Sequence, residues 1–164
     1  MEKALAVAND MIQRGINANT LLTQMRLQKL IYFAHGWHLA LYDAPLVDTT
    51  FQAWKYGPVI PSVYHEFKEY GTLGINSLGT ELVMLPEGGM SWYPPQIVDS
   101  TGLVKPLLDK IWEVFGSYSG TQLSGMTHAE GSPWRTIYDA NQNGRDMIIP
   151  NDDIKQYFKG LMNK

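Results

Sequence analysis

Two histidines on one predicted helix are the first candidates for chemistry in this sequence. His35 and His38 stand three residues apart, a spacing that puts both imidazoles on one helix face, where they could bind a metal ion together. A third ligand would have to be His65, Glu66, His128 or Glu130. The chain has no cysteine and no HExxH pattern. We therefore expect neither a metal nor a cofactor, and favour packed, hydrogen-bonded core imidazoles.

Acid–base catalysis has candidates as well, because a histidine oriented by a carboxylate could activate a serine. The residues of suitable type are His65, Glu66, Ser124, His128, Glu130 and Ser132. Neither serine lies in a G-x-S-x-G nucleophile elbow. The alternative for residues 127–134 is structural: Thr127 and His128 end a helix, and Trp134 docks in the core. We prefer that alternative and predict no catalytic residue and no enzyme.

Aromatic residues beside a cation form a third kind of candidate, a protein-binding surface. Trp54, Lys55 and Tyr56 are consecutive, and such groups recur at interface hot spots. The alternative is that the aromatic side chains alternate between the core and a partly covered edge, with Gly57-Pro58 fixing the backbone. Trp134-Arg135 presents the same two alternatives. The candidate partner-binding residues are Trp54, Tyr56, His65, His128, Trp134 and Arg135.

A helix that is buried on nearly all sides must position these candidates. Apolar residues recur at helical spacing through residues 27–42, and the other flank of that helix is apolar too. Thr20 or Thr23 can cap its start. Alternation over residues 51–56 predicts a short strand or extended arm. A second helix is expected from Pro61 to about residue 70, with Gly71 at its end.

The rest of the chain predicts further helices and one small β element. Helices are expected over residues 2–14, from a cap at 99–101 to Phe115, over 119–127 and over 152–162. Gly15 is placed to end the first of them. Around Gly88-Gly89, short apolar runs indicate a two-stranded hairpin or a long variable loop. The expected fold is a mainly α (α+β) single domain, residues 1–164: a helical bundle around the central helix with a small β-hairpin or short sheet.

Composition narrows the class of protein. The chain has 164 residues, 45% of them hydrophobic and 12% aromatic, which suits one domain that folds on its own. The lack of cysteine and of a signal-peptide pattern predicts a cytoplasmic protein. No run approaches the roughly 20 apolar residues of a membrane span. A net charge of −3 without a basic cluster argues against nucleic-acid binding.

Three ordered motifs resemble one known family. They are LQKLIYFAHGWHLALY from Leu27, AWKYGPVIPSVYHEF from Ala53 and THAEGSPW from Thr127. In order and spacing they resemble the Panacea antitoxin domain, also described as the SocA-like or phage-associated GepA family, over nearly the whole chain.

The resemblance implies the antitoxin of a type II toxin–antitoxin module, often carried by prophages, which binds and neutralises a cognate protein toxin. It also implies that such a protein can act as an adaptor that delivers its toxin to a Clp-type protease. Binding needs about 800 Å² per partner and a few aromatic or arginine anchors, but no catalytic groups. Residues 72–93 resemble the family least and could carry partner specificity.

Other functions stay open at this point. A small prophage-encoded metal-dependent hydrolase would use the histidines described above, and a regulatory scaffold would bind a host protein instead of a toxin. The sequence also leaves a homo-oligomer open.

Overall fold

The central helix predicted from the sequence is the axis of the structure. In this computed structural model the helix, α2, spans Gln24–Tyr42. Thr23 caps its start, because its hydroxyl accepts a hydrogen bond from the Arg26 N–H. Asp43 ends it in the left-handed conformation. Most of its side chains are buried, so the prediction of a helix covered on nearly all sides is confirmed.

The structure describes residues 1–142 and 147–164. Within them the other helices are α1 (Ala4–Asn17), α3 (Pro61–Glu66), α4 (Val104–Phe115), α5 (Gly120–Thr127), α6 (Pro133–Ala140) and α7 (Asn151–Met162). The strands are β1 (Phe51–Trp54), β2 (Gly57–Val59), β3 (Glu81–Met84), β4 (Met90–Tyr93) and β5 (Ile148–Ile149). The fold is therefore α-dominant with small antiparallel sheets, as predicted. No helix in the described part of the chain combines the length and apolarity needed to cross a membrane.

Four helices, α1, α4, α5 and α7, pack around α2. Gly36 on α2 explains how closely α7 approaches, because a β-carbon at this position would collide with the ring of Phe158. Tyr32 and Phe33 make edge contacts with the same ring. The core of the protein thus lies on α2, with an aromatic cluster where α7 crosses it.

The three-stranded sheet has β1 in its middle. It pairs antiparallel with β2, where Trp54 lies opposite Gly57, and with β5, where Phe51 lies opposite Ile149. The chain reverses over the two residues between β1 and β2. The sequence predicted β1, as a short strand or extended arm, but not β2, β5 or α6. Helix α6 begins at Pro133 behind a Ser132 cap.

A second hairpin, β3–β4, confirms the first of the two alternatives for its segment. Gly88 and Gly89 adopt positive φ in its turn. The prediction that Gly15 ends the first helix is wrong, since α1 continues to Asn17. A β-carbon at Gly15 would press on the Thr20 carbonyl and on Leu22, so this glycine permits close packing inside the helix.

Candidate protein-binding site

A groove of about 620 Å³ opens between the start of α2, the β1–β2 turn and α3. This volume falls within the range of sites that hold a ligand or an inserted group. Trp54 and Tyr64 meet at one side in an edge contact, with ring centroids 5.0 Å apart and ring planes inclined at 66°. The residues that line the groove are Thr23, Gln24, Met25, Gln28, Lys29, Trp54, Lys55, Tyr56, Val59, Tyr64, Gly71, Thr72, Gly120 and Thr121.

The β1–β2 turn presents Tyr56 at the rim of this groove. The Tyr56 side chain is 59% exposed, and Lys55 Nζ lies 5.3 Å from the centre of its ring. The backbone beneath it is held, because Ser124 Oγ donates a hydrogen bond of 2.7 Å to the Tyr56 carbonyl. Because this backbone is anchored, a partner would have to order the Tyr56 side chain but not the turn that carries it.

Two glutamines of α2 hold the wall formed by the β2–α3 junction in place. The Gln28 side chain accepts from the Ile60 N–H at 2.8 Å and donates to the Ile60 carbonyl at 3.3 Å. Gln24 Nε2 donates to the Tyr64 carbonyl at 2.8 Å. The junction between β2 and α3 is therefore fastened to α2, and the groove exists before any partner arrives.

Lys29, which also lines the groove, is the most unusual residue there. Its side chain is 1% exposed, and Nζ donates one hydrogen bond, 3.1 Å long, to the Pro58 carbonyl. Within the described residues no carboxylate forms an ion pair with it. Burial lowers the pKa of Lys29 to about 7.

Trp134 lies behind β1 and outside the groove. It is 5% exposed, and its Nε1 donates a 2.7 Å hydrogen bond to the Trp54 carbonyl. Its ring is stacked between His128, with centroids 3.7 Å apart, and Tyr138, with centroids 4.7 Å apart. The structure thus favours the core alternative for Trp134, which supports the strand that carries Trp54.

His128 and Arg135 lie beside this stack. Burial, with smaller effects of the positive charges of Lys29 and Arg135, lowers the pKa of His128. Arg135 is exposed; its guanidinium donates to the His128 carbonyl at 3.3 Å and lies 3.5 Å from a carboxylate oxygen of Asp139. These two residues form a polar surface separate from the groove.

The predicted residues therefore fall into three places. Trp54 and Tyr56 lie at the groove; His128, Trp134 and Arg135 cluster behind β1; and His65 is exposed on α3, where its ring contacts Tyr64. Sequence reasoning missed the groove residues contributed by α2. For Lys29 a signal was available, because it is a lysine on a helix that is apolar on both flanks. The sequence contains no comparable signal for Gln24 and Gln28.

The two histidines of α2 act as packed core groups. His35 Nε2 lies 2.9 Å from Asn151 Oδ1, and His38 Nδ1 donates to the Ala44 carbonyl at 2.6 Å. Burial, the largest effect, lowers the pKa of His35 to about 4. Among residues 1–142 and 147–164, no three metal-ligating side chains come together.

The two candidate serines bond to backbone oxygens. Ser124 Oγ donates to the Tyr56 carbonyl, and Ser132 Oγ donates to the Thr127 carbonyl at 2.8 Å. Each hydroxyl proton is therefore engaged by a carbonyl and not by a histidine. Ser124 thus supports the β1–β2 turn, and Ser132 supports the start of α6.

Comparison with known proteins agrees with this geometry. A family model described as "Antitoxin SocA-like, Panacea domain" matches residues 27–135, the span that contains the whole groove except Thr23, Gln24 and Met25. The curated protein Antitoxin SocA of Caulobacter vibrioides (strain NA1000 / CB15N) is 33% identical over 144 residues, which cover 88% of this chain and 73% of the relative. No solved structure matches the chain. The chain therefore belongs to the antitoxin SocA-like, Panacea-domain family.

Proposed function

We propose that this protein is a non-enzymatic antitoxin that neutralises a protein toxin in the cytoplasm by binding it at the groove. The observation that supports this most directly is the groove itself, with Trp54 and Tyr64 in its wall and Tyr56 exposed at its rim. The family to which the chain belongs, and the name of its curated relative, agree with an antitoxin.

The physical requirements of neutralisation match this site. A stable complex needs about 800 Å² from each partner, with most of its energy from a few well-packed aromatic anchors. The Tyr56 ring provides such an anchor, and the groove beside it can receive an apolar side chain of the toxin. Because Gln28 and Ser124 hold the two walls, little binding energy is lost in ordering the site.

Co-expression tests the proposal. The product of the adjacent reading frame is expressed alone and with this protein, and growth and co-purification are scored. Growth arrest that this protein relieves, together with a purified complex, supports the proposal. If no neighbouring product is toxic and none co-purifies, the antitoxin assignment fails.

Two tyrosine variants test the surface. We expect Tyr56→Ala to weaken the complex by about 10- to 100-fold, as for a hot-spot residue. Tyr42→Ala, which truncates another partly exposed tyrosine at the end of α2, away from the groove at its start, is the matched control and should bind like the wild type. Equal binding by both variants would move the toxin site away from the groove.

The same binding would also allow a second mode of action, in which this protein delivers the toxin to a Clp-type protease. The half-life of the toxin separates the two modes. A toxin that disappears faster in the presence of this protein, only in cells that contain the protease, indicates delivery; an unchanged half-life with restored growth indicates occlusion.

A further inference from the structure

The β3–β4 hairpin carries an uncovered apolar face. Leu82 lies opposite Trp92 and Met84 opposite Met90 in its register, so the four side chains share one face of the hairpin. Met84 is 79% and Trp92 64% exposed. A contiguous apolar surface of this kind on a single protein usually marks an interaction site.

The base of the hairpin is firmly held. The buried Asn9 side chain accepts from the Gly79 N–H at 2.8 Å and donates to the Gly79 and Pro95 carbonyls at 3.0 and 3.1 Å. Gly79 precedes β3 and Pro95 follows β4, so one side chain of α1 bonds to both ends. The apolar face is therefore presented by a hairpin with a fixed base.

The area of this face suits a weak association of two copies. The exposed parts of the four side chains add up to roughly 500 Å². Packing two such faces together would bury about 1,000 Å², which is the lower limit for a specific interface, so we expect the complex to be weak.

The chemistry of the face is self-complementary when two hairpins run antiparallel. Trp92 lies toward the base and Met84 and Met90 toward the tip. A two-fold axis then puts the indole of each copy on the two thioethers of the other, a favourable sulfur–aromatic contact. Each residue pair forms twice, as an isologous interface requires.

The charges fit the same arrangement. Residues 75–98 contain two charged side chains, Glu81 and Glu87. Glu81 is paired with Lys3 at the base of the hairpin, whereas Glu87, in the turn at the tip, makes no ion pair within the described residues. Antiparallel packing places the two Glu87 residues at opposite ends of the interface, so these two like charges stay apart.

We infer that a second copy of this chain covers the face, so that the protein forms a weak two-fold dimer through β3–β4. This dimer is independent of the proposed toxin-binding groove, because none of the four residues lines that groove.

Sedimentation velocity of the purified protein, from about 1 µM to about 1 mM, tests the inference across the expected range of affinity. The wild type should pass from monomer to dimer. Trp92→Glu should raise the dissociation constant by at least about tenfold. Met84→Glu should also weaken the dimer. Its matched control is Met162→Glu, which introduces the same charge at a methionine that is 51% exposed on α7, outside the hairpin.

Each outcome decides the question. Loss of dimer in the Trp92 and Met84 variants, with native circular dichroism and a wild-type result for Met162→Glu, supports the inference. A wild type that stays monomeric at about 1 mM overturns it, as does a dimer that survives Trp92→Glu. Protection of the hairpin from hydrogen exchange by the toxin, but not by increasing protein concentration, would assign the face to the toxin and also overturn the inference.

Discussion

The buried amine of Lys29 should make the stability of this protein depend on pH in the alkaline range. The pKa of Lys29 is about 7 in the folded protein, whereas the ordinary value for a lysine is 10.5. Between pH 7 and 10.5 the amine therefore binds a proton in the unfolded chain but not in the folded one. Stability therefore rises with pH across this window, by at most about 1.4 kcal/mol per pH unit. Over the whole window the effect amounts to a few kcal/mol.

Lys29→Met isolates this effect, because methionine retains the length of the side chain and removes the amine. Near pH 7 the variant should be more stable than the wild type by about 2–4 kcal/mol, since the cost of deprotonating a buried lysine is gone. The advantage should shrink as pH rises. Near pH 10 the variant should be slightly less stable, because the Pro58 carbonyl loses its donor, at a cost of about 1 kcal/mol.

Urea unfolding followed by tryptophan fluorescence, at several pH values between about 7 and 10, measures this difference. Subtracting the two proteins cancels every other titrating group. Lys55→Met is the control, since Lys55 is exposed on the same groove, and its difference from the wild type should not vary with pH. Parallel pH profiles for wild type and Lys29→Met would refute the reasoning, because they would mean that Lys29 titrates as an exposed amine.

Two further predictions concern α2. The pKa of His35 is lowered from 6.5 to about 4, so as pH falls the unfolded chain takes up a proton before the folded chain does. The free energy of unfolding should therefore drop by about 2–3 kcal/mol between about pH 6.5 and 4. In urea unfolding, His35→Gln should flatten this pH dependence, whereas His65→Gln, at an exposed histidine, should leave it unchanged. Gly36→Ala should cost about 1–3 kcal/mol because its β-carbon meets Phe158, whereas Gly160→Ala, with no atom nearby, should be neutral or slightly stabilising; equal thermal midpoints for the two alanine variants would contradict the packing.

Local signals were sufficient where a helix has its own apolar stripe and cap. The Ser119 cap and Gln122 begin α5 as a capping box, and the 152–162 prediction matches α7 to within one residue. Ser132-Pro133 is also a helix-start pattern, so α6 has a local signal in the sequence as well. In contrast β5 has two residues and exists only because β1 offers it a partner. Gly15 misled because its small size serves packing and not termination.

For the candidate site, too, the sequence predicted one part correctly and left another part to the tertiary structure. The aromatic and cationic run at Trp54–Tyr56 predicted a binding surface from residue types alone, and the structure places both aromatic residues at one groove. Trp134 carried the same sequence signal but is buried, because a stacking partner on each side and the Trp54 carbonyl hold it behind β1. A single sequence contains no information on which side of a strand is covered by a helix distant in the chain.

By itself the sequence determined the buried central helix, most of the helices around it and the family, and it indicated β1 and the β3–β4 hairpin as alternatives to an extended arm and a loop. Each of these depends on apolar spacing, caps, turn residues or motif order within a short stretch of chain. Only the tertiary structure decided where Lys29 lies, which tryptophan faces the groove and which apolar face stays open at β3–β4. Those properties depend on contacts between residues far apart in the sequence, and the free energy of burying or exposing a side chain is set by what the folded chain brings against it.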